Sequence, residues 1–415
     1  MVQVAIITSP GHNTEIETYR EFHRVGLDVK IFKWNDSPDE ILKAESFVIP
    51  GGFSYEDRVR SGLISAQNPI MLKVKEQVLN GKPLIGICNG AQAVVEMALI
   101  PGDDADTKAI ALSKNKRVRN GEVLGTGYYN TYVYIKRVVP QNRTPFTHLV
   151  SDQPILVPVA HGEGRYQTVY PELPELLINN EQIVFQYCDQ YGNIDPEFPI
   201  NPNGAMLNAA SICNVTGNVL SIMPHPERGL IAPLTQMFAS LKHHLETKPT
   251  LHSFPKYKLE PIPATLTSYE TTNQELIIKE TITDNEAYTL ENTLRKVTGD
   301  NSIQVKRYTH YEIGTNSTDL STIHASGELY NSNKEEVVRL GELTVNDFVI
   351  LVRYREDFEG QSKKEKLSRH YGFKLQSLTK GTLYHFKNIS AETVDFILKT
   401  GILYNPNSQI AYEYL

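Results

Sequence analysis

The sequence predicts an α/β fold, with a parallel sheet followed by a duplicated small α/β domain. Two observations predict the sheet: short apolar β-branched runs fill the first 90 residues, and they alternate with segments of helical periodicity. This alternation is typical of right-handed βαβ units with helices on both faces of a parallel sheet. A third observation, an internal similarity within residues 274–415, predicts the duplication.

The elements of the first region follow in chain order. The predicted strands are short runs rich in Val, Ile and Phe, and the predicted helices carry apolar residues every three or four positions. We predict strands over 2–8, 27–34, 46–50 and 83–87, and helices over 14–25, 37–44 and 69–80.

Residues 101–170 change in character. Segments such as "TYVYIKRVV" alternate polar and apolar residues, which is typical of antiparallel strands. A strand is predicted over 219–224 and a helix over 231–246. The four prolines that follow at 249, 255, 261 and 263 remove backbone donors and exclude regular helix or a central strand. We therefore predict a first domain over 1–247 and a Pro-rich linker over 248–273.

The last region contains two similar segments. "HASGELYNSNKE" (324–335) matches "LKTGILYNPNSQ" (398–409) at an offset of 74 residues, and "THYEI" resembles "TLYHF" further upstream. Each copy predicts strand, helix, strand, strand, helix and a final strand. Two copies are too few for a solenoid, so we predict a pseudo-twofold pair of repeats, over 274–341 and 342–415.

Composition excludes several classes of protein. The chain has 415 residues, 40% of them hydrophobic, and a net charge of −7. That charge gives no general attraction for nucleic acid or anionic membranes, and we expect neither as a partner. Three cysteines are too few for a disulfide framework, the N-terminus lacks the pattern of a signal peptide, and no apolar run approaches the roughly 18 residues of a spanning helix. We expect a cytoplasmic protein.

The segment "IGICNG" places Cys88 between an apolar strand and the start of a helix. A nucleophile held on such a sharp, glycine-flanked turn projects from the carboxyl end of its strand, beside helix-terminal amides that favour a thiolate. The alternative is a cysteine that only fills the core.

A thiol nucleophile needs a base, and the base needs a group that orients it. "SIMPHPERG" supplies His225 and Glu227 in a stiff proline-flanked turn at the end of another predicted strand. A surface turn or a pair of metal ligands would fit the same two residues. Because both motifs lie at strand ends of one predicted sheet, each supports the other.

Acyl transfer also needs N–H donors for the negative charge that develops on oxygen. "VIPGGFSYEDRVRSG" provides a glycine pair directly after a strand, where the backbone can approach a substrate closely. The alternative is a plain turn. We predict an oxyanion hole formed by the amides of Gly52 and of Asn89, the residue after Cys88.

Together these segments resemble the class I, or triad-type, glutamine amidotransferases, whose sheet is flavodoxin-like. More narrowly, they resemble the glutaminase subunits of phosphoribosylformylglycinamidine synthase, the PurQ family of purine biosynthesis. The resemblance covers roughly residues 1–245 and rests on "PGHN", "PGGFSYEDRVRSG", "GICNGAQ", "VPVAHGEGRY" and "NPNGAMLNAASICNVTGNVLSIMPHPER".

The resemblance implies a role for each motif. Cys88 would attack the side-chain amide of glutamine, His225 would shuttle protons and Glu227 would orient it. The residues implied in substrate binding are Gly51, Phe53, Gln92, His161, Gly162 and Glu163.

The other two cysteines, Cys188 and Cys213, match no nucleophile motif and are expected to be structural. One departure concerns Glu56, which stands where the family usually has a glycine, so the geometry of this loop is expected to be strained or altered.

Each repeat of the last region resembles the small PurS component of the same synthase, which bridges glutaminase and synthetase; a generic ferredoxin-like regulatory domain is the alternative. The chain carries no Walker-type glycine loop. We therefore expect no cofactor and no metal site in this chain, with ATP and Mg²⁺ on a separate synthetase subunit of the PurL type.

The resulting hypothesis is a glutaminase that hydrolyses L-glutamine and delivers ammonia to that synthetase, which converts formylglycinamide ribonucleotide (FGAR) to its amidine (FGAM). A water-poor passage for the ammonia is then required. Two alternatives remain: a catalytically silent assembly or regulatory subunit, and another cysteine hydrolase of the same superfamily, such as a peptidase.

Overall fold

The computed structural model describes residues 3–104, 107–229, 235–263, 266–316, 320–338, 347–387 and 389–414. The chain forms two compact units, Met1–Pro261 and Ile262–Leu415. The division between them falls within the proline-rich segment 248–273. Within the described ranges, the structure has no helix that is both long and apolar enough to span a lipid bilayer.

The first unit contains thirteen strands and six α-helices among its described residues. The strands are β1 Val4–Thr8, β2 Val29–Lys33, β3 Ser46–Ile49, β4 Leu84–Ile87, β5 Ala111–Ser113, β6 Lys116–Arg119, β7 Glu122–Thr126, β8 Tyr129–Arg137, β9 Ile155–His161, β10 Arg165–Gln167, β11 Ile183–Cys188, β12 Ala209–Cys213 and β13 Val219–Ile222. The helices are α1 Glu15–Arg24, α2 Leu63–Ala66, α3 Pro69–Leu79, α4 Asn89–Glu96, α5 Leu173–Asn179 and α6 Thr235–Thr247.

Nine of these strands form one sheet in the order β2-β1-β3-β4-β13-β12-β11-β8-β9. The first five are parallel and the remaining four pair antiparallel, so the predicted α/β class is confirmed. Every residue of β3 and β4 is buried, as expected for strands covered on both faces. The carboxyl ends of β3, β4 and β13 therefore lie side by side, and the loops after them meet at one edge.

The predicted short helix over 37–44 is a 3₁₀ helix, Pro38–Lys43. The predicted helix over 231–246 is α6, whose described part begins at Thr235; residues 231–234 lie outside the described residues.

The second unit contains seven strands and four helices among its described residues. They are β14 Thr267–Ser268, β15 Gln274–Glu280, α7 Asn285–Thr298, β16 Gln304–Gly314, α8 Leu320–Ala325, β17 Glu335–Val338, β18 Phe348–Tyr354, α9 Phe358–Tyr371, β19 Ser377–Lys387, α10 Ala391–Thr400 and β20 Gln409–Glu413. The sheet order is β14-β20-β18-β19-β16-β15-β17.

This sheet has internal pseudo-twofold symmetry. Its two central strands, β16 and β19, are antiparallel, and Thr309 lies opposite Thr382. These two threonines are also equivalent in the aligned segments "THYEI" and "TLYHF". The strands outside this central pair also correspond. β15 and then β17 follow β16 on one side, and β18 and then β20 follow β19 on the other.

Each repeat consists of strand, helix, strand, helix and strand. The prediction of two successive strands before the second helix is therefore wrong. β16 and β19 are single strands of eleven residues, and the segment interpreted as a separate strand is the second half of each. The proposed boundary at 341/342 lies outside the described residues.

Candidate active site

Cys88 occupies a sharp turn between β4 and α4. Its backbone dihedral angles are φ 51° and ψ −105°, a combination that non-glycine residues rarely adopt and that costs roughly 1–3 kcal/mol. The main-chain N–H of Cys88 still donates to the carbonyl of Ile222 in β13, at 2.8 Å. The strained residue is therefore held at the end of the sheet, as the sequence predicts for a nucleophile.

Two glycines make this turn possible. A methyl group on Gly86 would lie 2.4 Å from the carbonyl oxygen of Gly90, and one on Gly90 would lie 2.0 Å from that of Ile49. Both approaches are far inside contact distance. The helix after Cys88 can therefore pack against β3 and β4 only because neither position carries a side chain.

The imidazole of His225 is paired with a carboxylate. Its Nδ1 lies 2.6 Å from Oε1 of Glu227, and both side chains are almost fully buried. Burial alone lowers the pKa of His225, but the charges of Glu227 and Cys88 outweigh it and raise that pKa to about 10. The pair sits where the predicted strand 219–224 ends, and the amide of His225 donates to the carbonyl of Pro158 at 2.9 Å.

His225, Cys88 and the first glycine of the loop after β3 lie in contact. A methyl group on Gly51 would be 2.8 Å from Cε1 of His225 and 3.4 Å from Cβ of Cys88. The Cys88 side chain is close enough to His225 to help raise the pKa of that imidazole, and Sγ of Cys88 lies 3.9 Å from the carbonyl oxygen of Ala160 in β9. The structure thus brings the predicted nucleophile and base together.

The glycine loop lies against the first turn of α4. Gly51 donates its N–H to Oγ1 of Thr14 at 2.8 Å. Gly52 has φ 145°, and a side chain there would lie 2.5 Å from the carbonyl oxygen of Gly11, so this position is restricted to glycine. Asn89 opens α4, so its N–H has no acceptor within the helix. Both predicted oxyanion donors therefore belong to backbone that is fixed next to Cys88.

The side chain of Asn89 connects this loop to α4. Its Oδ1 accepts the N–H of Ser54 at 2.9 Å, and its Nδ2 donates to Oδ1 of Asp57 at 3.1 Å and to Oε1 of Gln92 at 2.8 Å. Burial and the charge of Glu163 raise the pKa of Asp57 to about 7. Asp57 is not among the site residues predicted from the sequence, although it lies inside the motif "PGGFSYEDRVRSG".

The segment "HGEGR" closes over the same helix. Gln92 donates from Nε2 to the carbonyl oxygen of Glu163 at 2.6 Å, and Ser61 donates from Oγ to Oε2 of Glu163 at 2.7 Å. Gly162 has open space around it, since a methyl group added there would have no atom closer than 3.7 Å. Phe53 is the most exposed of the residues predicted to bind substrate, because 44% of its surface is accessible to solvent.

Glu56 adopts the left-handed conformation that a glycine would take without strain. Its φ is 56°, and its neighbours Tyr55 and Asp57 have φ 52° and 54°. The side chain of Glu56 is largely exposed and pairs with Arg58 at 3.0 Å. The strain predicted for this position is therefore present in the backbone.

The remaining cysteines lie in strands. Cys188 ends β11 and Cys213 ends β12, and burial raises the pKa of each thiol to about 11. Both therefore hold their protons at neutral pH. Across the described ranges, no group of three or more His, Cys, Asp and Glu side chains is arranged to hold a metal ion.

Comparisons with known proteins agree with the fold of the first unit. Residues 1–256 match the CobB/CobQ-like glutamine amidotransferase domain. The phosphoribosylformylglycinamidine synthase subunit PurQ of Methanothrix thermoacetophila is 38% identical over 262 residues, which are 60% of this chain and 99% of the relative. The PurQ subunit of Pyrococcus furiosus is 38% identical over 229 residues, or 55% of this chain and 89% of the relative.

The solved structure of PurLQS from Thermotoga maritima contains a chain that is 26% identical to this one, with a TM-score of 0.46. The match spans 59% of this chain and 100% of that chain. The family match extends over more than half of the chain, and the relative from Methanothrix is matched almost from end to end. The resemblance to the PurQ family is thereby confirmed. The chain belongs to the CobB/CobQ-like glutamine amidotransferase family and to the family of its PurQ relatives.

Proposed function

We propose that this chain is the glutaminase component of phosphoribosylformylglycinamidine synthase in de novo purine biosynthesis. One observation carries the proposal: Cys88 is held on a strained turn in contact with the buried pair of His225 and Glu227. The PurQ names of the relatives support the choice of this synthase among the reactions that use ammonia from glutamine.

In the proposed reaction, the proton of the Cys88–His225 pair rests on the imidazole, and Sγ of Cys88 attacks the side-chain carbonyl carbon of glutamine. The oxygen becomes an anion, which the N–H groups of Gly52 and Asn89 stabilise. The C–N bond then breaks, and the leaving ammonia takes the proton from His225. A γ-glutamyl thioester remains on Cys88. Water, deprotonated by His225, attacks this thioester, the C–S bond breaks, and glutamate leaves while the proton stays on His225.

The electrostatics of His225 suit the acid step. With a pKa of about 10, the imidazole keeps a proton at pH 7 and can deliver it to a poor leaving group. Glu227 accepts the hydrogen bond from Nδ1, which directs the opposite nitrogen, Nε2, to the thiol and the substrate. This division of roles is the usual one in a nucleophile–base–acid triad.

The proposed acceptor of the ammonia is a separate ATP-dependent synthetase subunit of the PurL type, which would convert FGAR to FGAM with ATP and Mg²⁺. The relatives are named as subunits, which supports an assembly of this kind. We further propose that the second unit binds the synthetase as a PurS-like pair. Its pseudo-twofold sheet, with Thr309 opposite Thr382, resembles two copies of a small α/β protein joined in one chain.

The test measures glutamate release from glutamine by the full chain, alone and with a candidate synthetase supplied with FGAR and ATP. We expect weak release alone, strong release with the partner, and none from Cys88→Ala. Cys188→Ala is the matched control, because it also removes a buried free thiol, but one that lies at the end of β11 and has no role in the proposed reaction. This variant should retain activity. Full activity of Cys88→Ala would contradict the mechanism.

The same experiment separates the alternatives. No release even with the partner present would favour a catalytically silent assembly subunit, for which the strained Glu56 loop is the structural argument. Hydrolysis of peptides in place of glutamine would favour another cysteine hydrolase.

A further inference from the structure

His161 is the last residue of β9 and opens the "HGEGR" loop. Its side chain is 3% exposed. The residue before it, Ala160, directs its carbonyl oxygen to Sγ of Cys88, and the backbone at Gly164 turns back so closely that a methyl group there would lie 2.2 Å from the imidazole ring. The ring is therefore enclosed next to the nucleophile and has no room to rotate.

The hydrogen bonds of Asn115 fix the tautomer of this ring. Nδ2 of Asn115 donates to the carbonyl oxygens of Gly127 at 3.1 Å and of His161 at 2.7 Å, which uses both of its hydrogens. Oδ1 of Asn115 accepts the N–H of Gly164 at 2.9 Å and lies 3.2 Å from Nδ1 of His161. Nδ2 of Asn115 also lies 3.2 Å from Nδ1 of the ring. Because both hydrogens of Nδ2 are directed at the two carbonyl oxygens, Oδ1 is the partner of the ring, and Nδ1 carries the proton and donates it.

The other ring nitrogen, Nε2, is then a bare acceptor. It is buried, and no donor among the described residues reaches it. Burial, reinforced by the positive charge of His225, lowers the pKa of His161 to about 3, so the ring is neutral at physiological pH. A buried acceptor without a donor costs free energy, and such a group calls for an explanation.

We propose that Nε2 of His161 accepts a hydrogen bond from the –NH₂ group of the glutamine carboxamide, and that it thereby distinguishes substrate from product. This inference rests on the proposed glutaminase function and assigns one polar group of the substrate to one atom of the site. The carboxamide of glutamine carries an –NH₂ group, which donates hydrogen bonds, whereas the carboxylate of glutamate has a second oxygen instead and can only accept them.

The consequence is selection against the product. A carboxylate oxygen facing the lone pair of Nε2 makes no hydrogen bond, is repelled, and leaves both groups buried and unpaired. Sites built to pair with one polar group reject an analogue that lacks it far more strongly than apolar pockets do. His161 would thus hold glutamine while allowing glutamate to leave.

The test compares dissociation constants for L-glutamine and L-glutamate by calorimetry, with the full chain as Cys88→Ala so that no turnover occurs. In that background His161→Phe removes the acceptor, and we expect the ratio of the glutamate constant to the glutamine constant to fall about tenfold or more. His161→Gln can turn its amide to suit either ligand, so the ratio should also fall. It serves as the second variant if the phenylalanine does not fold.

The matched control is Tyr166→Phe, which removes a fully buried hydroxyl that is already bonded to Ser221 at 2.7 Å. It should leave the ratio unchanged even if it lowers stability. If His161 had a purely structural role, its variants would bind glutamine and glutamate more weakly by the same factor. An unchanged ratio of the two constants in both His161 variants would therefore overturn the inference. If the Cys88→Ala chain binds neither amino acid while its fold is intact, the proposed glutaminase function fails, and the inference fails with it.

Discussion

Nδ1 of His225 and Oε1 of Glu227 lie 2.6 Å apart in a buried turn, although the two residues are separated by a single proline. The carboxylate is one of the charges that raise the pKa of His225 to about 10, against the effect of burial. In unfolded chains the same group titrates near 6.5. The difference links this pair to the pH dependence of stability.

Glu227→Gln should reduce the pH dependence of stability that comes from His225. Because the folded-state pKa is raised, the stabilisation is fully present below about pH 6.5 and is lost as the pH rises towards 10. We expect the variant to lose about 2 kcal/mol at pH 6.5 and less at pH 9.5, measured by urea unfolding. Glu17→Gln, which breaks a half-exposed pair with Arg228, is the control and should change little. An equal loss at both pH values would contradict the prediction.

The strained backbone at Cys88 predicts that glycine is more stabilising than alanine at this position, the reverse of the usual order. Alanine keeps the unfavourable φ of 51°, whereas glycine relieves it. We therefore expect Cys88→Gly to be more stable than Cys88→Ala by about 1 kcal/mol, after the entropy cost of glycine is subtracted. At Cys213, in β12 and without positive φ, the order should be reversed. Thermal unfolding of the four variants checks both comparisons, and the same order at both sites would contradict the assignment of strain.

The loop around Glu56 predicts a stabilising substitution. Glu56→Gly removes a left-handed non-glycine residue whose side chain is mostly exposed, so little is lost when it is deleted. We expect a gain of about 1 kcal/mol in the free energy of unfolding. Glu260→Gly, at an exposed position without positive φ, should give no gain. A gain of the same size in both variants would point to a general effect of removing negative charge.

Arg60 and Glu96 form a buried ion pair that joins the loop after β3 to the end of α4. Arg60 donates to Glu96 through Nε at 2.9 Å and Nη2 at 2.8 Å. Burial raises the pKa of Glu96, but Arg60 and Lys108 overcome this and lower it to about 2. The stabilisation is therefore present above about pH 4.5 and is lost as the pH falls towards 2.

Arg60→Met should cost about 3 kcal/mol at pH 7, because it leaves a buried carboxylate with less compensation. The cost should shrink when unfolding is measured at about pH 3, where Glu96 can take up a proton. Arg58→Met breaks an exposed pair with Glu56 in the same loop and should cost less than about 1 kcal/mol. A pH-independent cost for Arg60→Met would show that lost packing, and not charge, is responsible.

Local patterns predict the elements around the site well. The predicted helices over 14–25 and 69–80 correspond to Glu15–Arg24 and Pro69–Leu79, and the strand over 83–87 corresponds to Leu84–Ile87. These segments are strongly periodic or wholly buried, so the hydrophobic effect acts on each of them in the same direction as local propensity.

What the sequence does not predict depends on distant partners. The antiparallel strands β11 and β12 extend the parallel sheet because β12 pairs with β13, a contact that no local pattern encodes. The same holds for Asn115 and Asp57, whose roles follow from hydrogen bonds to His161 and Asn89. Polar side chains of this kind become recognisable only when burial shows that water cannot serve as their partner.

The opposition of Thr309 and Thr382 has an evolutionary consequence. A homodimer must repeat every substitution on both sides of its axis, whereas two copies in one chain can change independently. At the offset of 73 that relates the threonines, Asp284 and Arg307 correspond to Asp357 and Lys380. The Arg307 side chain pairs with Asp284, whereas Lys380 donates its main-chain N–H to Asp357 and turns its side chain to Glu359. Glu312 and His385 also correspond, yet Glu312 pairs with Arg353 and His385 with Asp347. The two halves of this sheet therefore share one topology but carry different polar contacts.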